Sequence, residues 1–241
     1  MPELHNPEDR DRSQSRRALR IMRSHVQPGS FPLLLVATLL VYVLNGLAVG
    51  SMAGVILVQV GRLGVVCAGL YVLSANRVTL WLGGLVVGVV ITFEARVWAL
   101  DPGVNRVLQD SVTGGFLLWV LVVVLREVFR PATTERDAVI GALCGFMIIL
   151  MVFGRVHGLL EALSPGSYHA DGPPLSERSD VILIAVFQYF STVTVTTVGF
   201  GDIVPVAPVA RLATGLEAIA GQLYLAVVIA TLVGRVAARR E

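Results

Sequence analysis

The chain has 241 residues, of which 55% are hydrophobic and only 15% charged, and its mean hydropathy is +0.75. A soluble domain carries about 25% charged residues, so this composition excludes a water-soluble globule and a disordered chain. The net charge of +2 is too small to point to a nucleic-acid partner, and all 19 basic residues are arginine, so their placement says more than their sum.

The first 30 residues are polar and hold Arg10, Arg12, Arg16, Arg17, Arg20 and Arg23, with no apolar stretch before Phe31, so no cleavable signal is expected. Apolar runs follow that approach about 20 residues, the length that crosses a hydrocarbon core of about 30 Å. The stretch 31–75 is apolar apart from Arg62 and divides at Asn45-Gly46 to Gly50-Ser51, giving helices near 31–47 and 52–74. A third helix is expected from Thr79 to Leu100, ending at Asp101-Pro102-Gly103, and a fourth from Ser111 to Phe129. The fifth runs from Asp137 to Leu163 and stops at Ser164-Pro165-Gly166. A polar loop, 164–180, holds His169, Asp171, Glu177 and Arg178. Val181 to Val193 is an apolar run of 13 residues, too short to span and suited to a re-entrant helix. The last span, Ala207 to Val233, is apolar except for Arg211 and Glu217.

Six spans with both termini in the cytoplasm place 13 of the 19 arginines inside and three outside, in accord with the positive-inside rule. The expected fold is therefore an all-α integral membrane protein with a re-entrant helix between its fifth and sixth spans. Cys67 and Cys144 both lie in apolar runs and imply no disulfide framework.

The segment after the re-entrant run is poor in helix formers. Unpaired backbone groups at membrane depth cost several kcal/mol each, so such a segment survives only inside protein or along a polar path. Gly199 and Gly201 admit left-handed backbone angles. With Thr197, Val198 and Phe200 among them, successive carbonyls can face one axis and replace the hydration shell of a cation.

Thr196-Thr197-Val198-Gly199-Phe200-Gly201-Asp202 resembles the selectivity-filter motif of the potassium-channel superfamily, in its form with Phe at the aromatic position. The likeness runs over about 181–236, through a short pore helix, the filter, Pro205 and an inner helix with Gly221 near its middle. The whole chain resembles small bacterial six-helix ion channels with one pore loop, although over 1–135 only hydropathy and topology are similar. The resemblance implies that Thr197, Val198, Gly199 and Phe200 supply the K+ sites, that Gly201 permits the outer turn, and that Thr196 and Asp202 support the filter. Phe200 lacks the hydroxyl with which a tyrosine would brace the pore helix. A ring needs four filter strands, so a homotetramer in a lipid bilayer follows, with K+ as permeant ion and no cofactor. The domains expected are a cytoplasmic Arg-rich segment over 1–30, a four-helix peripheral membrane domain over 31–130, and a pore domain over 136–236. The location implied is a bacterial plasma membrane.

Other residues carry narrower expectations. Ser179 or Asp180 is placed to cap the re-entrant helix, whose C-terminal dipole would then favour a cation at the membrane centre. Leu225, Ile229 and Val233 recur at helical spacing and either form a hydrophobic constriction or pack on the fifth helix. Gly221 is either a hinge or a point of close packing. Glu217 is a candidate regulatory residue behind the filter. Arg62, Glu94, Arg96 and Arg155 are expected to pair within the bundle, for example Glu94 or Glu217 with Arg62 or Arg155. His157 and Glu161 suit a polar contact better than a metal site. Arg126 and Arg130 read as interfacial anchors, too few for a voltage sensor, so no steep voltage dependence is expected. The short tail after the last span leaves no room for a ligand-binding domain. Two other transport readings are a weakly selective cation channel and the membrane subunit of a K+ uptake system. An enzyme is not expected, because no nucleophile–base or metal-ligand set stands within the spans.

Overall fold

The computed structural model describes residues 30–47, 52–73, 77–94, 101–130 and 133–238. The N-terminal arginines, Arg96, Arg239 and Arg240 lie outside these residues, as do the side chains of Arg77, Glu94, Val233 and Arg235. Among the described residues are seven α-helices: α1 (Phe31–Leu47), α2 (Met52–Leu73), α3 (Arg77–Glu94), α4 (Pro102–Val128), α5 (Glu135–Leu163), α6 (Asp180–Val195) and α7 (Pro208–Ala238). Among the described residues, three stretches are long and apolar enough to cross a membrane, Gly103–Val128, Glu135–Leu163 and Pro208–Leu232; Phe31–Gly46, Ile56–Val72 and Asp180–Val195 are shorter apolar helices.

The start of α4 corrects the sequence expectation by nine residues. Asp101-Pro102-Gly103 reads as the stop of one helix, but it opens the next. The Asp101 carboxylate accepts from Gly103 N at 2.9 Å and Val104 N at 3.4 Å, and Pro102 occupies the first turn, where its missing N–H leaves no bond unmade. The added turns carry Asn105, Gln109 and Asp110, all buried. At the start of α5, the Thr134 hydroxyl caps Asp137 N at 3.2 Å.

Helix α5 is the hub, with α1, α4, α6 and α7 all packed on it. Its buried Gly141, Ala142, Gly145, Gly154 and Gly158 keep its surface low, which lets neighbouring backbones approach closely. A Cβ at Gly154 would stand 3.3 Å from the Cα of Gln188 on α6. The largest apolar cluster joins Phe116, Val120 and Val124 of α4 to Ile148 and Val152 of α5, with Leu34 and Val41 of α1 on one side.

The buried charge pair across this bundle differs from the expected ones. Arg155 Nη1 donates to Asp110 Oδ1 at 2.9 Å, with Arg106 Nε 3.9 Å from Asp110 Oδ2. Glu217 is not its partner, because the early start of α4 brings an aspartate to the same level; the Glu94 side chain lies outside the described residues. The loop after α5 also holds more structure than its polar composition suggests. Strand β1 (Tyr168–Ala170) pairs antiparallel with β2 (Ile203–Pro205), Tyr168 opposite Pro205.

Removing one member of a buried ion pair leaves the other uncompensated and costs about 3–5 kcal/mol, whereas replacing both by apolar groups is often close to neutral. Arg155→Met should therefore lower thermal stability in detergent sharply, and Arg155→Met with Asp110→Leu should recover most of the loss. Melting curves of the two variants check this.

Candidate functional site

Helix α6 spans 16 residues, about 24 Å at 1.5 Å per residue, shorter than a hydrocarbon core of about 30 Å. Ser179 occupies its N-cap position, but the hydroxyl makes no capping bond, and Asp180 contributes a negative charge to the first turn. The other end is closed with care. Thr197 N donates to Thr194 O and Val198 N to Val193 O, both at 3.0 Å, the bond pair of a Schellman turn with Thr197 in the left-handed position. Glycine usually fills that position. Thr197 has φ +61° instead, an uncommon angle for a β-branched residue and a source of local strain.

Left-handed angles recur at Gly199 (φ +57°) and Gly201 (φ +80°), with Val198 and Phe200 between them outside that region. A backbone alternating in this way differs from a strand: successive peptides present the same edge to one side. Gly199 N turns back to Val193 O at 3.4 Å, so that carbonyl receives two amides of the loop. Thr196 likewise returns both its N–H and its hydroxyl to Thr192 O, at 3.0 and 2.6 Å. The outer edge of Thr196 to Asp202 is exposed, with Phe200 at 70%. The Tyr189 hydroxyl of α6 faces the Asp202 carboxylate, and Asp202 O accepts from Asp171 N at 3.4 Å.

Behind α6 lies the most deeply buried polar cluster described. Glu217 of α7 and His157 of α5 are both fully buried, and Glu217 Oε2 lies 2.7 Å from His157 Nε2. Glu217 Oε1 accepts from the Ser191 hydroxyl of α6. His157 Nδ1 meets the Tyr168 hydroxyl at 2.6 Å. Burial raises the Tyr168 phenol above its ordinary range, and the charges of Glu217 and Glu161 add to the effect. The phenol thus keeps its proton, and the two ring nitrogens of His157 bridge Tyr168 to Glu217. His157 and Glu161 do not meet as expected. Glu161 turns to the chain after α5, accepting from Gly166 N at 2.8 Å and Tyr168 N at 3.2 Å.

Gly221 lies one turn beyond Glu217, pressed against the end of α6. A Cβ there would stand 2.7 Å from Val195 Cγ1 and 3.3 Å from Val195 O. One turn further, the Tyr224 hydroxyl donates to Ala142 O on α5. Val228 and Leu232 continue the contact with the core, whereas Leu225 and Ile229 stand on the exposed side of α7. The side chain of Val233 is outside the described residues.

Sequence reasoning placed Thr196 to Asp202 and Glu217 near one another, and they are joined through α6. It missed Ser191, Tyr168 and Tyr189. It also missed the reach of α1: Tyr42 donates to Thr192 Oγ1 at 3.2 Å, and Asn45 Nδ2 to Gln188 Oε1 at 2.6 Å. A lone Gln within an apolar run was the available signal for that contact. At the other end of α4, Arg126 is exposed and Arg130 pairs with Glu127 at 3.2 Å.

Glu217→Ala removes the acceptor shared by His157 and Ser191, and by analogy with broken buried pairs the loss is about 3 kcal/mol or more. Glu217→Gln keeps one carbonyl acceptor and should lose less. Melting midpoints of the purified variants should fall in the order wild type, Gln, Ala.

No curated protein and no solved structure matches the chain. Residues 182–238, from the first turn of α6 through the loop to the end of α7, match the family model described as Ion channel, so this membrane protein carries an ion-channel domain.

Proposed function

We propose that the protein is a potassium-selective channel of the plasma membrane, a homotetramer in which four 196–202 loops surround one conduction path. The observation that carries this reading is the left-handed backbone at Thr197, Gly199 and Gly201, directly after a helix that stops short of spanning, inside the matched ion-channel domain. Carbonyls of Thr197, Val198, Gly199 and Phe200 on the open side of four such loops take over the hydration shell of a K+ ion. The Thr197 hydroxyl adds a ligand at the inner end. The C-terminal dipole of α6, about half an elementary charge, favours a cation at the same place.

Six spans, α1 to α5 and α7, with both termini in the cytoplasm complete this reading, α1–α4 forming a peripheral domain and α5–α7 the pore domain. The exposed stripe Leu212, Leu216, Ile219 and Leu223 on α7 supports contact between copies, since its i, i+4, i+7 and i+11 spacing places it on one face. Leu225 and Ile229, turned away from α5, suit a hydrophobic constriction below the filter. The two arginines at the end of α4 support weak voltage dependence. Phe200 favours a second reading, a cation channel with relaxed selectivity, because it lacks a hydroxyl to fix the loop.

The test is the reversal potential of the purified protein in planar bilayers with K+ on one side and Na+ on the other. Reversal near the K+ equilibrium potential is expected, and reversal near zero with clear current would establish the relaxed reading. Gly199→Ala, which forces a Cβ onto a left-handed residue, should move the reversal potential toward zero or abolish current while the tetramer persists on size-exclusion chromatography.

A further inference from the structure

We propose that Tyr42 and Asn45 of α1 are positioning residues for the 196–202 loop, and that one bound water completes their junction with α6. The inference deepens the proposed function by giving the first peripheral helix a part in supporting the filter.

The geometry begins at Thr192. Its hydroxyl donates to Gln188 O at 2.8 Å, which leaves its lone pairs free to accept, and one of them receives the Tyr42 hydroxyl at 3.2 Å. The carbonyl of the same residue carries both bonds from Thr196, the first residue of the loop. Tyr42 therefore fixes the first of the three α6 residues, Thr192, Val193 and Thr194, whose carbonyls hold the loop. One turn earlier, Asn45 Nδ2 donates to Gln188 Oε1 at 2.6 Å. Helix α1 is itself anchored to the hub, with Cys144 Sγ 3.2 Å from Phe31 O.

The Asn45–Gln188 pair is half-finished within the protein. Both residues are 5% exposed, yet among the described residues Asn45 Oδ1 and Gln188 Nε2 have no hydrogen-bond partner. The two side chains line the same cavity of about 20 Å3, bounded also by Val41, Arg62, Met151, Gly154, Arg155 and Ile184. A water needs about 10–15 Å3 by this measure and two to four polar partners. Here it accepts from Gln188 Nε2 and donates to Asn45 Oδ1, which satisfies both orphan atoms at once. A volume of this size holds one water.

Hydrogen–deuterium exchange of the full-length protein in lipid nanodiscs tests the junction without requiring conduction. Tyr42→Phe removes one hydroxyl, and Asn45→Leu removes the amide and fills the water site. Both should speed exchange of the 192–200 amides about twofold or more, with exchange in α4 unchanged. Tyr42→Phe combined with Thr192→Val should add nothing to Thr192→Val alone, because the two changes remove the same bond. Leu39→Ala, at an exposed position of α1, is the control. Exchange at 192–200 equal to that control in both variants would overturn the proposal, as would full additivity in the double variant. Wild-type reversal potential is read separately, so a failure of K+ selectivity leaves the exchange result interpretable.

Discussion

A backbone that leaves its helix must find a partner for each N–H it frees, and the site depends on how that requirement is met. The carbonyls of Thr192, Val193 and Thr194, at the end of α6, accept the amides of Thr196 through Gly199. The four amides are thereby spent on the helix, and the carbonyls of the same residues stay available on the other side. An ordinary strand would instead split its groups evenly between two neighbours. The left-handed Thr197 is the local consequence, because the bond pattern demands that angle whichever residue stands there.

Such an arrangement holds only if α6 itself is immobile, and polar contacts fix it from two sides. Ser191 reaches the Glu217 carboxylate on α7, which continues through His157 of α5 to Tyr168. Tyr42 and Asn45 reach it from α1. Tyr168 also belongs to β1, whose partner β2 is the chain leaving the loop, so the same network that grips the inner end of the loop reaches its outer end. In an apolar surrounding each of these bonds has no water to fall back on, which makes breaking one costly.

Much of this was legible in the sequence. Runs of apolar residues predict helices that the structure places within a few residues at α1, α2, α5, α6 and α7, since length and composition alone decide them. The glycine pattern of 199 and 201 predicts the irregular backbone. What stayed hidden depends on pairs far apart in the chain. Asp101-Pro102 carries the chemistry of a helix start, and its reading as a stop came from counting apolar residues and not capping groups. Asp110 then went unseen as the partner of Arg155. The ribbon of β1 and β2 has three residues a side, too short for any alternation to register. Asn45 read as turn chemistry because its neighbour is Gly46, and only the packing of α1 on α6 reveals its use.

The packing also bears on what Gly221 contributes. A glycine in mid-helix reads equally as freedom to bend or as room to approach, and the neighbours decide between the two. Here a Cβ would meet Val195 Cγ1 at 2.7 Å, so the small side chain serves closeness between α7 and the end of α6. Glu217 and Tyr224 are bonded to α5 on either side of it, less than two turns apart. Bending at 221 would have to disrupt at least one of these contacts, and a buried charged hydrogen bond lost without replacement costs several kcal/mol. The stretch 217–224 therefore behaves as a fixed part of the support of the loop, and any movement of α7 that spares those contacts is confined to the turns after Tyr224, where Leu225 and Ile229 lie exposed.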